Sequence, residues 1–272
     1  MNPTPWLTIT RGDAPLIVSL PHTGVDLAGL EPRLTSPWLA RKDTDWFIET
    51  LYDFAAALGA TTIHTTISRS VIDVNRDPSG ASLYPGRATT ELCPTTSFDG
   101  EALYAPGQAP DAVEVAARKA AYFDPYHQAL RAEIARLQPA HRRVALYDCH
   151  AIRSIIPRLF DGQLPMFNLG TNSGASADPA LSALVAEGLR ASGQSFVVNG
   201  RFKGGWITRS FGAPVQGVHA LQMELACRAY LREPLGAVDA SIWPARYDAS
   251  FAAATRAVLQ NILAAVLDWL PQ

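Results

Sequence analysis

Apolar and polar positions fall into blocks of two kinds along this chain. Short apolar runs of strand length, PLIVSLPH at 15–22 and RVALYDCH at 143–150, alternate with longer stretches of helical spacing. Further extended segments are expected at ATTIHTTI (60–67), SVIDV (70–74), PMFNLG (165–170), SFVVNG (195–200) and VHALQMEL (218–225). A helix is expected from Thr44 as cap to Leu58, stopped by Gly59, and another over Asp111–Leu137, which Pro125 must kink or divide. Two more fall near 178–192 and 248–269, the latter with apolar residues at intervals of three and four. This alternation predicts an α/β layered fold with a parallel or mixed sheet. Residues 21–37 read as a loop. Residues 76–110, with repeated Pro and Gly and little periodicity, read as a long ordered loop or a lid. GGWITRSFG (204–212), bounded by glycines, has the form of a loop that brings backbone close to a ligand.

Composition narrows the partners. A chain of 272 residues, 48% hydrophobic and 18% charged, suits one domain spanning 1–272 with a large core. A formal charge of -2 leaves no broad cationic surface for nucleic acid or an anionic membrane, so a small molecule is the expected partner. Cys93, Cys149 and Cys227 are too few and scattered for a disulfide framework. The start, MNPTPWLTITRGDAP, lacks the pattern of a secretory leader, and no apolar run approaches the roughly 18 residues that span a bilayer. A reducing, cytoplasmic setting is the expectation.

The candidate chemistry lies at strand ends, where open α/β sheets place their sites. Both apolar runs end on histidine, His22 and His150, and neutral imidazole is the commonest protein metal ligand. Two imidazoles at one sheet edge suggest a zinc site that lacks a carboxylate. Asp26, Asp43, Asp45, Glu49 and Asp148 each qualify, with Asp45 preferred because it lies near the His22 loop in sequence. An acid at a helix start also serves simply to stabilise that helix. Asp148 shares the His150 side of its strand and suits a carboxylate that orients the imidazole. Glu224, inside the apolar LQMEL run, is costly unless paired or used, which fits a general base or an ion pair with Arg228.

Arg69, Asn75 and Arg76 flank SVIDV, and Arg153 and Arg209 lie in HAIRS and WITRS. Convergence of these groups would favour an acidic substrate held by paired hydrogen bonds. His64, His127, His141 and His219 have no evident ligand partners and read as core or surface filling. No G-x-S-x-G elbow supports a serine hydrolase, and GRFKGG (200–205) lacks the ending of a phosphate loop.

Taken together, PLIVSLPHTG, DTDWFIETLYDFAAALGA, SRSVIDVNRDPSG, LYDCHAIRS, GGWITRSFG and HALQMEL resemble the N-formylglutamate amidohydrolase family over about residues 14–232, in family order and spacing. The resemblance implies a three-layer α/β/α fold with a mixed central sheet, similar to the zinc carboxypeptidases. It implies a metal-dependent amide hydrolase that converts N-formyl-L-glutamate and water to L-glutamate and formate, the last step of a histidine degradation route. By the same resemblance His22 and His150 hold Zn2+, with Co2+, Mn2+ or Fe2+ as other occupants, and Asp45 in the DTDW segment is assigned here as the acidic ligand. Glu224 is then the general base, Arg69 lies near the scissile carbonyl, and Asn75 and Arg76 grip a substrate carboxylate. Carboxypeptidases use a H-x-x-E pair, whereas the residue three after His22 is Val25, so the acidic ligand comes from elsewhere. The competing readings are a hydrolase of another N-acyl amino acid and a non-catalytic binder of acidic amino acids.

Overall fold

The structure, a computed structural model, describes residues 5–271; the first four residues of the N-terminal segment lie outside the described residues. Seven strands form one mixed sheet: β1 Leu7–Thr10, β2 Leu16–Leu20, β3 Thr61–Thr65, β4 Val144–Ile152, β5 Phe167–Gly170, β6 Phe196–Val198 and β7 Val218–Ala226. Their order across the sheet is β1-β3-β2-β4-β7-β5-β6, with β1 antiparallel to β3 and β5 antiparallel to β7. The helices are α1 Pro37–Arg41, α2 Ile48–Leu51, α3 Ala112–Arg118, α4 Asp124–Leu137, α5 Pro179–Ala191, α6 Trp206–Phe211 and α7 Ala249–Trp269.

The central strands read as continuous apolar runs because both of their faces are covered. Every residue of β4 and β7 is buried. Leu16, Tyr147, Cys149 and Met223 face a core closed by α2, α5 and α7, whereas Ile17, Leu146 and Ala220 face one closed by α4 and α6. Side chains two apart share a face, so the strand period itself divides the apolar residues into two cores and makes three layers.

Several elements differ from the sequence expectation. The Thr44–Leu58 helix is interrupted: Phe47 takes a left-handed conformation (φ 60°), and only Ile48–Leu51 is α-helical before a 3-10 segment, Asp53–Leu58, that does stop at Gly59. Thr44 Oγ1 is buried with no hydrogen-bond partner rather than capping. The cause is tertiary, since the Asp45 N–H donates to the His22 carbonyl at 3.0 Å and draws this stretch to the sheet edge. SVIDV is a buried turn rather than a strand, and GGWITRSFG contains helix α6 rather than being all loop. A Cβ on Gly205 would lie 2.4 Å from the Asn75 side chain, so the close approach there is to protein rather than to ligand. β1, with its half-exposed alternation, is an additional edge strand.

Pro125 does divide the predicted 111–137 helix. A π-helical turn, Lys119–Phe123, precedes it and relieves the clash a proline makes with the preceding turn. Helix α7 corrects the expectation about apolar length, for it has 21 residues, a stretch within it has a mean hydropathy of 1.4, and by length and composition it could cross a membrane. It packs Leu259, Ile262, Leu263 and Val266 into the core here. Burial of each such side chain contributes about 1.5–3 kcal/mol.

Of the remaining histidines, His127 has a core role. Its Nε2–H donates to the Val74 carbonyl at 2.8 Å, and its ring stacks on Phe123 and Phe211 at 4.1 and 5.6 Å. Burial lowers it from 6.5 to about 4. Between those values the unfolded chain takes up a proton that the folded one refuses, so stability present above pH 6.5 is lost as pH falls toward 4. At about 1.4 kcal/mol per unit the loss approaches about 3 kcal/mol. Urea unfolding at pH 7 and pH 4.5 should show a shallower acid dependence for His127→Gln than for the wild type. Equal slopes would assign the acid sensitivity to other groups.

Candidate metal centre

β2 and β4 are parallel neighbours, so their carboxyl ends reach the same sheet edge. His22 lies two residues beyond β2, and His150 lies in β4 directly opposite Glu224 of β7. Asp45 arrives between them on the stretch bent toward His22. The four side chains are nearly inaccessible: His22 and His150 are 3% exposed, Asp45 1% and Glu224 7%.

Each imidazole presents Nδ1 to one point. Asp45 Oδ2 is 3.1 Å from His150 Nδ1 and 3.7 Å from His22 Nδ1, and ligand atoms of the three residues lie within 4.8 Å of one another. The opposite ring nitrogens are committed: His22 Nε2–H donates to Asp73 Oδ1 at 2.7 Å and His150 Nε2–H to Asp148 Oδ2 at 2.9 Å. A neutral ring protonated at Nε2 carries its lone pair at Nδ1, so lone pairs converge on a carboxylate oxygen. That arrangement repels itself unless a cation lies between. His22 Nδ1 is accordingly a buried nitrogen without a hydrogen-bond partner. Burial alone would lower the His150 pKa, yet Asp148 at Nε2 and Asp45 at Nδ1 hold it well above the ordinary value, so the ring has negative charge at both nitrogens. Ligand atoms about 3.4 Å apart surround a cation with bonds of about 2.1 Å, so the donor set fits a divalent ion with a position left open.

A second layer of acids fixes this geometry. Asp148 also accepts from the Ser19 hydroxyl at 2.8 Å and from the Asn75 amide at 3.0 Å. Asp73 accepts from Arg69 at 2.9 Å, while Arg69 Nη1 donates to Asp45 Oδ1 at 3.3 Å. Burial works against ionising Asp45, but the His150 and His22 rings beside it hold its carboxyl at about 2, so it stays anionic. Glu224 has the opposite character: burial pushes it up to about 7, aided by the Asp45 charge and against the pull of His150 and Arg69. Its Oε2 accepts one hydrogen bond, from Gln222 Nε2 at 3.0 Å. A buried carboxyl poised near neutrality suits proton transfer.

An open cavity with about 580 Å³ of empty space adjoins this group, lined among others by His22, His150, Glu224, Arg69, Arg76 and Arg201. Of the expected substrate residues, Arg76 lines the cavity, with Nε 3.2 Å from Asp73. Asn75 lines it too, but its amide nitrogen donates to Asp148 and its oxygen accepts from the Ile207 N–H. Arg153 is outside it, paired with Asp99 at 2.6 Å and Asp43 at 3.4 Å. Arg209 is outside it as well, donating to the Gly204 carbonyl and stacking on Tyr84. Asp26 and Glu49 lie away from the three ligand atoms, and Asp43 accepts from the Phe98 N–H and pairs with Arg153. Asp73, Gln222 and Arg201 are additional site residues. Asp73 was visible in principle, as a carboxylate inside the apolar run VIDV, by the reasoning that singled out Glu224.

Comparison with known proteins points to one family. The chain is 47% identical to the N-formylglutamate deformylase of Pseudomonas aeruginosa over 97% of its own length and 96% of that protein's. It is 43% identical to the N-formylglutamate deformylase of Pseudomonas putida over the same shares. The crystal structure of an N-formylglutamate amidohydrolase from Ralstonia eutropha has the same fold, with a TM-score of 0.77 at 22% identity, covering 97% of this chain and 98% of that one. The family model described as N-formylglutamate amidohydrolase matches residues 14–231, from the strand that leads to His22 through the one that carries Glu224, and the chain thus belongs to that family.

Proposed function

We propose that this chain hydrolyses the formamide bond of N-formyl-L-glutamate to give formate and L-glutamate, with zinc held by His22, Asp45 and His150. The single observation that carries the reading is Glu224 opposite His150 on the neighbouring strand, a buried carboxyl beside three converging ligand atoms in a cavity that contains arginines. The two Pseudomonas relatives named for this deformylation support the substrate. The seven-stranded sheet and the return of α7 onto it support one catalytic domain over 1–272, and three buried, unpaired cysteines support a reducing cytoplasm.

The bound cation supplies Lewis acidity, polarising a carbonyl oxygen and lowering the pKa of water toward about 7. The chain's own residues do the rest. Glu224 takes a proton from the attacking water, whose oxygen bonds to the formyl carbon. Arg69, fixed by Asp45 and Asp73, aims its remaining N–H groups at the oxygen on which charge develops. Glu224 then delivers the proton to the amine as the C–N bond breaks. Arg76 holds the α-carboxylate, and Asn75 ties Asp148, the acid on His150, to α6. Arg153 and Arg209 have no place in substrate binding here, because their guanidinium groups are engaged outside the cavity.

Formate release from N-formyl-L-glutamate by the purified protein is the test. Release of acetate or succinate from the corresponding N-acyl amino acids instead would keep the site and replace the substrate. The support of His22 makes a separate prediction: Asp73→Asn should weaken metal affinity by about 10–100-fold, measured by chelator competition, because the imidazole loses the carboxylate that sets its tautomer. Unchanged affinity would detach Asp73 from the metal.

A further inference from the structure

We propose that Arg201 binds the side-chain carboxylate of the substrate and so sets the preference for an acidic over a neutral N-formyl amino acid. The inference rests on the deformylase reading above and assigns its specificity to one residue.

Three arginines line the cavity, and they differ in what already neutralises them. Arg69 sits on Asp45 and Asp73, and Arg76 on Asp73. Arg201 has no carboxylate partner among the described residues. Its Nε and Nη2 donate only to main-chain carbonyls, those of Leu159 at 2.8 Å and Ala88 at 3.2 Å. The Tyr84 and Phe202 rings each lie 5.1 Å from its guanidinium carbon and hold it in place. Partial burial, with the charges of Arg87 and Arg76, works against its own charge more than Tyr84 and the Glu224 carboxylate, which is not bonded to it, support it. A guanidinium fixed by neutral acceptors and aromatic faces, and left without a counter-ion, is prepared for an anion from outside.

Position decides which anion. Arg76 borders an outer cleft as well, but it contacts Asp73, the acid that holds His22, and is therefore nearer the metal end. Arg201 also lines two outer clefts, one with Lys203 and one with Arg158, and so stands at the mouth. In N-formyl-L-glutamate the α-carboxylate is attached to the carbon that bears the formamide, whereas the side-chain carboxylate ends a further arm. With the formyl group at the metal, the shorter branch meets Arg76 and the longer one meets Arg201.

The test compares N-formyl-L-glutamate with N-formyl-L-glutamine, of similar shape but neutral at the side chain, on the metal-loaded protein. Arg201→Met should lower kcat/KM for N-formyl-L-glutamate by about 100-fold, mostly through KM, as loss of a charge-assisted pair does. The value for N-formyl-L-glutamine should stay within a few-fold of the wild type, which also reports correct folding, and Arg201→Lys should recover part of the loss. Equal losses on both substrates, or none on N-formyl-L-glutamate, would overturn the inference. Failure of the wild type itself to release formate from N-formyl-L-glutamate would instead remove the reading on which it rests.

Discussion

Glu224→Gln should lower kcat for formate release by roughly 10²–10⁴-fold, the usual contribution of a positioned general base, and leave metal content and KM nearly unchanged. The substitution keeps the volume of the side chain and removes its ability to take a proton. Glu224 is not one of the three converging ligand residues, so the metal should remain. The pH profile gives an independent reading. The carboxyl must be ionised to act, and burial pushes its pKa up to about 7, so wild-type activity should fall as pH drops through that region rather than near 4 to 5. The residual activity of Glu224→Gln should lack that acid limb. A variant with near wild-type turnover would take Glu224 out of the mechanism.

Removal of the metal should have an effect at least as large. Chelation is expected to abolish formate release, and zinc or cobalt added back should restore it, since Lewis acidity contributes several kcal/mol of transition-state stabilisation. A second readout does not depend on activity. A ligand that binds only the folded state at 1,000 times its Kd stabilises it by about 4 kcal/mol, so the metal should raise Tm by several degrees. His150→Ala should lose that metal-dependent shift, because one of the three ligand atoms is gone. Chelator-resistant activity together with a metal-independent Tm would refute a metal at His22, Asp45 and His150, and binding of acidic amino acids without turnover would favour a binder.

The layered fold was legible because burial leaves a periodic mark. β4 and β7 are covered on both faces and read as mainly apolar runs broken only by a few polar residues, and the spacing places α5 and α7 to within a residue or two. The expectation failed where tertiary contacts outweigh local preference. The residues from Thr44 onward have helical spacing, but the Asp45 bond to the His22 carbonyl and the left-handed turn at Phe47 break that helix. Val71, Ile72 and Val74 are as apolar as a strand, but their burial is in a turn that delivers Asp73.

The site divides in the same way. By itself the sequence determined that His22 and His150 lie near the carboxyl ends of two buried strands, that Asp148 shares a strand face with His150, and that Glu224 is a carboxylate inside an apolar run. These are consequences of a two-residue period along rigid strands, which neighbouring residues are sufficient to show. Only the tertiary structure decided that Asp45 meets both histidines, that Asp73 orients His22, that Arg153 and Arg209 are engaged elsewhere, and that Arg201 faces the cavity without a counter-ion. Those outcomes depend on which charges neutralise one another across segments far apart in the chain. Coulomb energy follows distance in space, and that distance is set only once the layers have packed.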